Sequence, residues 1–314
     1  MPLDLETHRA LALDQATPVS ANGRSNADIL VSLKHAGDAP YHPCPEAYPD
    51  ESVAQGEVRK FADWDQSAVF KDTLRDVYVY RPAGINAEKP MNLIVFQDGA
   101  GYLHRAGSVR AAAVLDSLQA SAEIEATAAV FINPGKPKSA KADDTEAHRI
   151  QRSFEYDSLT PDYGRFLIEE VLPFVALECN LTFTDDPTRR SICGISSGGI
   201  CAFTVGWQHP DSFRRIISHC GSFTNIRGGH NYPYLIRTTP RKPLRIFMQS
   251  GANDAETLSG NWPLANRTVA DSLRYAGYDY TFEFGNGGHS LRHGGALFAD
   301  SLRWLWRSTT DESN

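Results

Sequence analysis

The sequence lacks several features that would assign it to particular protein classes. None of its 314 residues lies in an apolar run that approaches the roughly 20 residues of a membrane-spanning helix. Basic residues are also few: 31 Lys and Arg against 38 Asp and Glu give a formal net charge of −7. Nucleic acids and anionic membrane surfaces are bound through clustered basic residues. We therefore expect neither as a partner.

Cysteine is scarce, and the N-terminus lacks the apolar segment of a secretory signal. The five cysteines are an odd number and form no C-x-x-C motif, so neither a disulfide framework nor a zinc ribbon is indicated. This usage predicts a reducing, cytoplasmic location. Cysteines in apolar contexts are expected to be small buried hydrophobic side chains: Cys193, Cys201 and Cys220.

What the sequence does contain is an alternation of short apolar runs and helix-like segments. Residues 1–55 have no clear periodicity and are interpreted as an N-terminal arm or cap, while residues 56–314 form the predicted catalytic domain. The alternation predicts an α/β fold with a mostly parallel sheet, preceded by antiparallel strands. We expect strands over 57–61, 76–80, 92–96, 128–132, 191–193, 215–218, 244–248 and 280–284, and helices over 109–118, 162–177 with a kink at Pro173, 199–207, 262–275 and 296–306.

The stretch 194–198 reads Gly-Ile-Ser-Ser-Gly, a G-x-S-x-G pattern. An apolar run leads into it and a helix-like run follows, which together predict a strand, a tight turn and a helix. Such a nucleophile elbow presents its serine at the carboxyl end of the sheet, where helix amides face developing negative charge. Ser196 is therefore the predicted nucleophile.

A serine hydroxyl needs a base to become a good nucleophile at neutral pH. His289 lies in a glycine-rich loop after the last predicted strand, at the sheet edge where such folds place their active sites. This position favours His289 as the base, and His293 is the alternative. Two other histidines after Ser196 are expected to be structural, namely His209 and His219.

The base in turn needs an orienting carboxylate, which should come from a loop at a strand end. Asp254 follows the penultimate predicted strand, and it stands between the serine and the histidine in chain order. Glu256 and Asp271 are weaker alternatives, and Asp271 falls on a predicted helix. Only order and position distinguish Asp254 from an ordinary surface carboxylate.

The tetrahedral intermediate of ester hydrolysis carries an oxyanion that needs at least two N–H donors. One donor should be the amide of Ser197, which follows the nucleophile. The other should come from the loop after an early strand, here the segment 97–102, Gln-Asp-Gly-Ala-Gly-Tyr.

Taken together, these stretches resemble the putative-esterase branch of the α/β-hydrolases, which holds esterase D-like enzymes, feruloyl esterases, enterochelin-type siderophore esterases and mycolyltransferases. The resemblance spans roughly residues 57–307 and implies the α/β-hydrolase fold with helices on both faces of the sheet, here with an extra N-terminal arm. The matching segments are 96–99, 152–157, 170–173, 190–199, 210–213 and 288–289.

The resemblance implies Ser196 as nucleophile, His289 as base and Asp254 as acid. It also implies backbone amides of Ala100 and Ser197 as the oxyanion donors. We expect neither a metal nor an organic cofactor.

Two further residues are candidates for binding the substrate. The resemblance places Arg152 near the pocket, with a structural salt bridge to Glu155 or Asp157 as the alternative. Trp262 begins a predicted helix and could line an acyl or aromatic pocket, with core packing as the alternative because large aromatic side chains are mostly buried.

The predicted function is hydrolysis of a carboxylic ester through an acyl-enzyme, with a carbohydrate, aryl or siderophore-like ester as substrate. The alternatives are an acyltransferase of the same fold and a binding module without catalysis. His289 and His293 have the spacing of a zinc helix, but the Glu of H-E-x-x-H is absent, so we predict no metal. The expected partner is a small-molecule ester, and a homo-oligomer stays open.

Overall fold

A mixed sheet of mainly parallel strands organises the protein. The computed structural model describes residues 37–85 and 89–308. The sheet order is β1-β2-β4-β3-β6-β7-β8-β11, with β5 attached to β2. In this order, β2 runs antiparallel to β1 and β4, and the neighbouring strands β4, β3, β6, β7, β8 and β11 pair in parallel. The strands are β1 (Glu57–Trp64), β2 (Thr73–Arg81), β3 (Asn92–Gln97), β4 (Thr127–Ile132), β5 (Lys136–Pro137), β6 (Arg190–Ile195), β7 (Arg215–His219), β8 (Arg245–Asn253), β9 (Glu256–Thr257), β10 (Gly260–Asn261) and β11 (Asp279–Gly288).

Helices connect the strands and confirm the predicted α/β-hydrolase architecture. β9 and β10 form a separate hairpin between β8 and the following helix. The helices are α1 (Gly99–Leu103), α2 (Ala111–Ala120), α3 (Thr145–Asp157), α4 (Asp162–Arg165), α5 (Leu172–Cys179), α6 (Ser197–Gln208), α7 (Tyr232–Thr238), α8 (Trp262–Tyr275), α9 (Leu291–Ala296) and α10 (Phe298–Leu305), with short 3₁₀ turns at Pro45–Ala47, Pro187–Arg189 and Gly229–Asn231.

Both faces of the sheet are covered by helices, and this explains why its central strands are apolar throughout. Successive side chains of a strand point to opposite faces. In β3, Leu93 and Val95 join one buried cluster, whereas Ile94 and Phe96 join the other. The first cluster includes side chains of α3 to α8, and the second includes side chains of α2 and α10. No helix within 37–85 and 89–308 is long and apolar enough to cross a membrane.

Several helical segments differ from the sequence prediction. The segment 162–177 is not one kinked helix: α4 is followed by a π-helical stretch, Phe166–Val171, and then by α5. Pro173 has no N–H for the usual helical bond, and the wider turn lies just before it, with Leu172 N–H bonded to the Leu167 carbonyl.

The stretch around Arg152, for which the sequence pattern predicts no helix, is part of α3. This helix is amphipathic and starts at Asp144, whose carboxylate accepts from the Ala147 amide as an N-cap. The predicted closing helix, 296–306, corresponds to α10, and the short helix α9 precedes it.

The N-terminal arm can be followed only in part, because residues 1–36 of the predicted segment 1–55 lie outside the described residues. The remainder, 37–55, packs against the C-terminal helices. The Cys44 amide donates to the Gly295 carbonyl of α9 at 3.4 Å, and Glu46 forms an ion pair of 2.6 Å with Arg303 of α10. The arm therefore reaches the end of the sheet where β11 leads into α9.

Candidate active site

Ser196 lies in the sharp turn between β6 and α6. Its backbone adopts φ 60° and ψ −122°, which is a strained conformation for a residue with a side chain. The turn is tight because a Cβ at Gly194 would lie 2.2 Å from the Gly198 carbonyl oxygen, so only glycine fits there. The Ser196 amide donates to the His219 carbonyl at 2.9 Å, which fixes the turn to β7. The predicted strand–turn–helix geometry is present.

His289 lies directly after β11 and contacts both predicted partners. Its Nε2 is 2.8 Å from the Ser196 Oγ, and its Nδ1 is 2.5 Å from the Asp254 Oδ1. Asp254 is buried and also accepts from the Ser250 hydroxyl and the Ala255 amide, each at 2.7 Å. These bonds hold the carboxylate in one orientation, so the structure brings the three predicted side chains together in a continuous hydrogen-bonded chain.

The alternative acids lie elsewhere. Glu256 is exposed on β9, and Asp271 forms ion pairs with Arg237 and Arg274 on the surface of α8. The ion pairs of Asp271 do not involve His289.

The other histidines singled out in the sequence have structural partners. The Nδ1 of His293 is 2.9 Å from the side-chain nitrogen Nε2 of Gln249, and the Nδ1 of His219 is 2.9 Å from the Tyr102 hydroxyl. Burial lowers the pKa of His219 to about 3, with His293 adding to the effect. His209 contacts the Pro161 carbonyl. These contacts agree with the structural roles predicted for His209 and His219.

The two predicted oxyanion donors differ in their surroundings. Ser197 is the first residue of α6, so its amide lies at a helix end where no carbonyl four residues earlier accepts it. Ala100 lies in α1, and its amide donates to the Asn133 side-chain oxygen at 3.1 Å. A substrate oxygen would therefore have to share or replace the Asn133 contact at Ala100.

Comparison with known proteins places the chain in a family. The family model described as "Putative esterase" matches residues 67–305, which is more than half of the chain. The chain belongs to the putative esterase family. Its elbow and the loop that carries His289 both fall within the matched region.

Individual relatives match less of the sequence. An iron(III) enterobactin esterase of Dickeya dadantii (strain 3937) is 28% identical over 152 residues, which cover 44% of this chain and 33% of that protein. This chain therefore matches only a third of the length of that enterobactin esterase.

Solved structures of two kinds share the fold. The enterobactin esterase of Shigella flexneri, in the presence of 2,3-dihydroxy-N-benzoyl-serine, has a TM-score of 0.62 at 21% identity, over 86% of this chain and 62% of that chain. A ferulic acid esterase of Anaeromyces mucronatus, in complex with ferulic acid, has a TM-score of 0.62 at 15% identity, over 83% and 95%. At these identities the likeness shows the α/β-hydrolase fold alone.

In this esterase-family protein, Arg152 pairs with a different carboxylate from the two considered in the sequence. Its guanidinium forms two hydrogen bonds with Asp98, of 2.9 and 2.7 Å. Glu155 pairs instead with Arg75 in a fully buried ion pair. The partners differ because Asp98, in the turn after β3, lies within reach of Arg152, whereas Arg75 on β2 lies within reach of Glu155.

The ion pair of Arg152 stabilises the turn that carries Ala100. Asp98 has φ 53°, in the left-handed region, and directly precedes α1. Its amide donates to the Tyr156 hydroxyl at 3.2 Å, so two residues of α3 hold it. This arrangement holds the turn that carries Ala100, and it engages the Arg152 charge with a neighbouring carboxylate.

Ser222 is a residue of the site that no sequence pattern marks, although it lies in the loop after β7 that the elbow faces. Its hydroxyl is buried and lies 3.2 Å from the Ser196 Oγ. Trp262 is also buried: its Nε1 lies 3.3 Å from the Ser222 Oγ, and its ring stands edge-on to His289 at 5.7 Å. The only sequence signal for Ser222 is its position after a strand at the carboxyl end of the sheet.

One group of potential metal ligands overlaps the same residues. Ligand atoms of Cys220, Asp254 and His289 lie within 4.8 Å of one another. Burial raises the pKa of the Cys220 thiol, which disfavours the thiolate that binds metals. The His289 Nδ1 already faces Asp254 at hydrogen-bond distance. The arrangement thus suits a hydrogen-bonded chain better than a metal centre.

Proposed function

We propose that this protein hydrolyses carboxylic esters with Ser196 as nucleophile, His289 as general base and Asp254 as the acid that orients the base. The observation that carries the proposal is the continuous chain from the Ser196 Oγ through both ring nitrogens of His289 to the buried Asp254 carboxylate. This is the geometry by which a weak hydroxyl nucleophile is activated.

In the first half-reaction, the Ser196 Oγ forms a bond to the ester carbonyl carbon while its proton moves to the His289 Nε2. Asp254 stabilises the imidazolium through the Nδ1–H. The carbonyl oxygen becomes an anion that accepts from the Ser197 amide and, in place of the Asn133 oxygen, from the Ala100 amide. Collapse breaks the carbon–oxygen bond to the alcohol, which leaves with the proton from Nε2.

In the second half-reaction, a water molecule gives a proton to the His289 Nε2 and attacks the acyl carbon. The same two amides stabilise the second oxyanion. When this intermediate collapses, the bond to the Ser196 Oγ breaks and Oγ takes back the proton from Nε2. The carboxylic acid leaves and the enzyme is restored, so no further reactant is needed.

Replacement of the nucleophile tests the serine mechanism. Ser196→Ala should abolish hydrolysis of p-nitrophenyl acetate and labelling by a fluorophosphonate probe. Ser52→Ala is the matched control, because Ser52 is exposed on the N-terminal arm. Activity of the Ser196→Ala variant near the wild-type rate would refute the mechanism.

For the substrate, we propose an ester whose acyl part carries a phenolic ring, of the siderophore or feruloyl type. Both kinds of structural relative were solved with a phenolic ligand, 2,3-dihydroxy-N-benzoyl-serine or ferulic acid. The test compares kcat/KM for methyl ferulate, enterobactin and p-nitrophenyl palmitate. The proposal requires methyl ferulate or enterobactin to have a higher kcat/KM than p-nitrophenyl palmitate, and the reverse order would contradict it.

A further inference from the structure

The loop that carries His289 has little support of its own. Glycines occupy positions 285, 287 and 288, and glycine leaves the backbone more freedom than any other residue. The pairing of β11 with β8 also shifts register between Gly285 and Gly288, so the regular ladder is interrupted just before His289. A base within hydrogen-bond distance of Ser196 therefore requires a support from outside this loop.

One such support comes from the N-terminal strap, which we define as residues 37–47, beside the Asn253 side chain of β8, which donates to the Asn286 carbonyl at 2.7 Å. Asp38 is buried, with 1% of its surface exposed. One of its carboxylate oxygens accepts from the Gly288 amide at 2.8 Å, and the other accepts from the Ser290 hydroxyl at 2.5 Å. Gly288 and Ser290 are the two neighbours of His289 in the chain, so a single carboxylate holds the residues on both sides of the base.

Tyr41 of the strap holds the same loop slightly earlier. Its hydroxyl accepts from the Asn286 amide at 3.0 Å, and its ring stacks on His293 with centroids 4.1 Å apart. The fit is close, because a Cβ at Gly285 would lie 2.1 Å from the Tyr41 hydroxyl oxygen. Strap and loop are thus packed directly against each other over several residues.

We propose that Asp38 is a positioning residue for His289 and that the N-terminal strap is a part of the active-site scaffold. The inference rests on the proposed function, in which His289 is the base. Asp38 touches no reacting atom: it acts by fixing the chain at positions 288 and 290. It also lies outside the region matched by the family model, which begins at residue 67.

The consequence for catalysis follows from geometry. Removing the carboxylate leaves the amide at 288 and the hydroxyl at 290 without their acceptor, and the glycine-rich loop can then move the imidazole away from Ser196. A displacement of about 1 Å can lower a catalytic rate by about 100-fold. Ground-state binding of the ester should change little, since Asp38 acts on the loop backbone behind the base.

The test measures kcat and KM for p-nitrophenyl acetate in the full chain. Asp38→Ala should lower kcat by about 100-fold with KM within about twofold. Asp38→Asn keeps one acceptor oxygen and should recover part of the rate. The low-field proton resonance of the hydrogen bond between His289 and Asp254 should shift or broaden in Asp38→Ala, which a purely structural role at a distance would not cause.

Asp50→Asn is the matched control, because Asp50 is exposed on the same arm and its carboxylate accepts a local bond of 2.8 Å from the Ser52 amide. It should keep the wild-type rate. Wild-type kcat and an unchanged resonance in a folded Asp38→Ala protein would overturn the inference.

Where Asp38→Ala fails to fold, Ser290→Ala decides, because it removes the hydroxyl bond to Asp38, together with the N-cap bond from the Arg292 amide, and keeps the bond between Asp38 and the Gly288 amide. It should lower kcat by roughly fivefold, and a wild-type kcat would again overturn the inference. All rates are taken after subtraction of the Ser196→Ala background. If the wild-type protein is active and the Asp38 and Ser290 variants keep the wild-type kcat, this inference alone is refuted. If activity survives Ser196→Ala, the serine mechanism is refuted.

Discussion

The indole of Trp262 lies 3.3 Å from the Ser222 hydroxyl and donates its Nε1–H to that oxygen. Ser222 in turn lies 3.2 Å from the Ser196 Oγ. Because the Ser196 proton is needed for the bond to His289, the Ser222 hydroxyl must be the donor between the two serines. In this series of hydrogen bonds each group donates to the next: Trp262 to Ser222, Ser222 to Ser196, Ser196 to His289 and His289 to the Asp254 carboxylate.

Ser222 is expected to orient the nucleophile, so its loss should slow acylation. A hydrogen bond of this kind contributes about 1 kcal/mol, which corresponds to roughly a fivefold lower kcat for Ser222→Ala. The rate at which a fluorophosphonate labels Ser196 should fall by a similar factor. Trp262→Phe keeps an aromatic ring but removes the donor, and should show a smaller effect.

Trp304→Phe is the control for Trp262→Phe, because Trp304 packs on the opposite face of the sheet, beside Phe247. It should leave the labelling rate unchanged. An unchanged labelling rate in Ser222→Ala would show that the contact between the two serines has no role in the reaction.

Asp254→Asn should lower kcat by roughly a thousandfold or more, because an amide no longer holds His289 in the tautomer that accepts the Ser196 proton. KM should change little. The matched change is Glu256→Gln, on an exposed residue two positions away, which should have the wild-type kcat. Equal activities of the two variants would exclude Asp254 as the orienting acid.

Arg152→Met distinguishes a positioning role from substrate binding. Without the ion pair, Asp98 can relax from its left-handed conformation and shift the Ala100 amide, so we expect kcat to fall by roughly tenfold. Direct substrate binding would instead raise KM at unchanged kcat. Arg149→Met is the control, because Arg149 lies on the same helix in an exposed ion pair with Glu146. It should leave both kcat and KM at the wild-type values.

The buried His219 should make the protein sensitive to acid. Its pKa is about 3 in the fold, whereas the ordinary value is 6.5, so below pH 6.5 the unfolded chain gains a proton that the folded chain does not. This contribution to stability is complete above pH 6.5 and is lost at about 1.4 kcal/mol per pH unit as the pH falls towards 3.

Urea unfolding between pH 7 and pH 4 measures this effect. His219→Gln should flatten the dependence of the free energy of unfolding on pH, and His230→Gln, at an exposed position, should not. Equal slopes in wild-type and His219→Gln proteins would contradict the assignment.

The parts of the fold and site that depend on local patterns could be predicted from the sequence. The elbow around Ser196 is recognisable because its turn requires glycine at nearby positions, and β3 and β4 are recognisable as apolar runs buried on both faces. His289 and Asp254 could be selected because both follow strands that end at the same edge of the sheet. The α3 helix has no apolar periodicity that would reveal it in the sequence, since the residues it buries include Gln151, Glu155 and Asp157.

Contacts between distant parts of the chain could not be predicted in this way. Asp38 and Gly288 are 250 positions apart, and no pattern around Asp38 marks it as a partner of the base. Ser222 and Trp262 are likewise ordinary residues until the loop after β7 and the start of α8 are brought together.

The sequence by itself determined the main strands, the serine turn and the selection of His289 and Asp254, because each depends on the spacing of side chains along one segment. Only the tertiary structure decided that Arg152 pairs with Asp98, that the Ala100 amide meets Asn133, and that the N-terminal strap closes behind His289. These contacts join separate segments, and their partners are chosen by the packing of helices and loops on the sheet, which no single segment encodes.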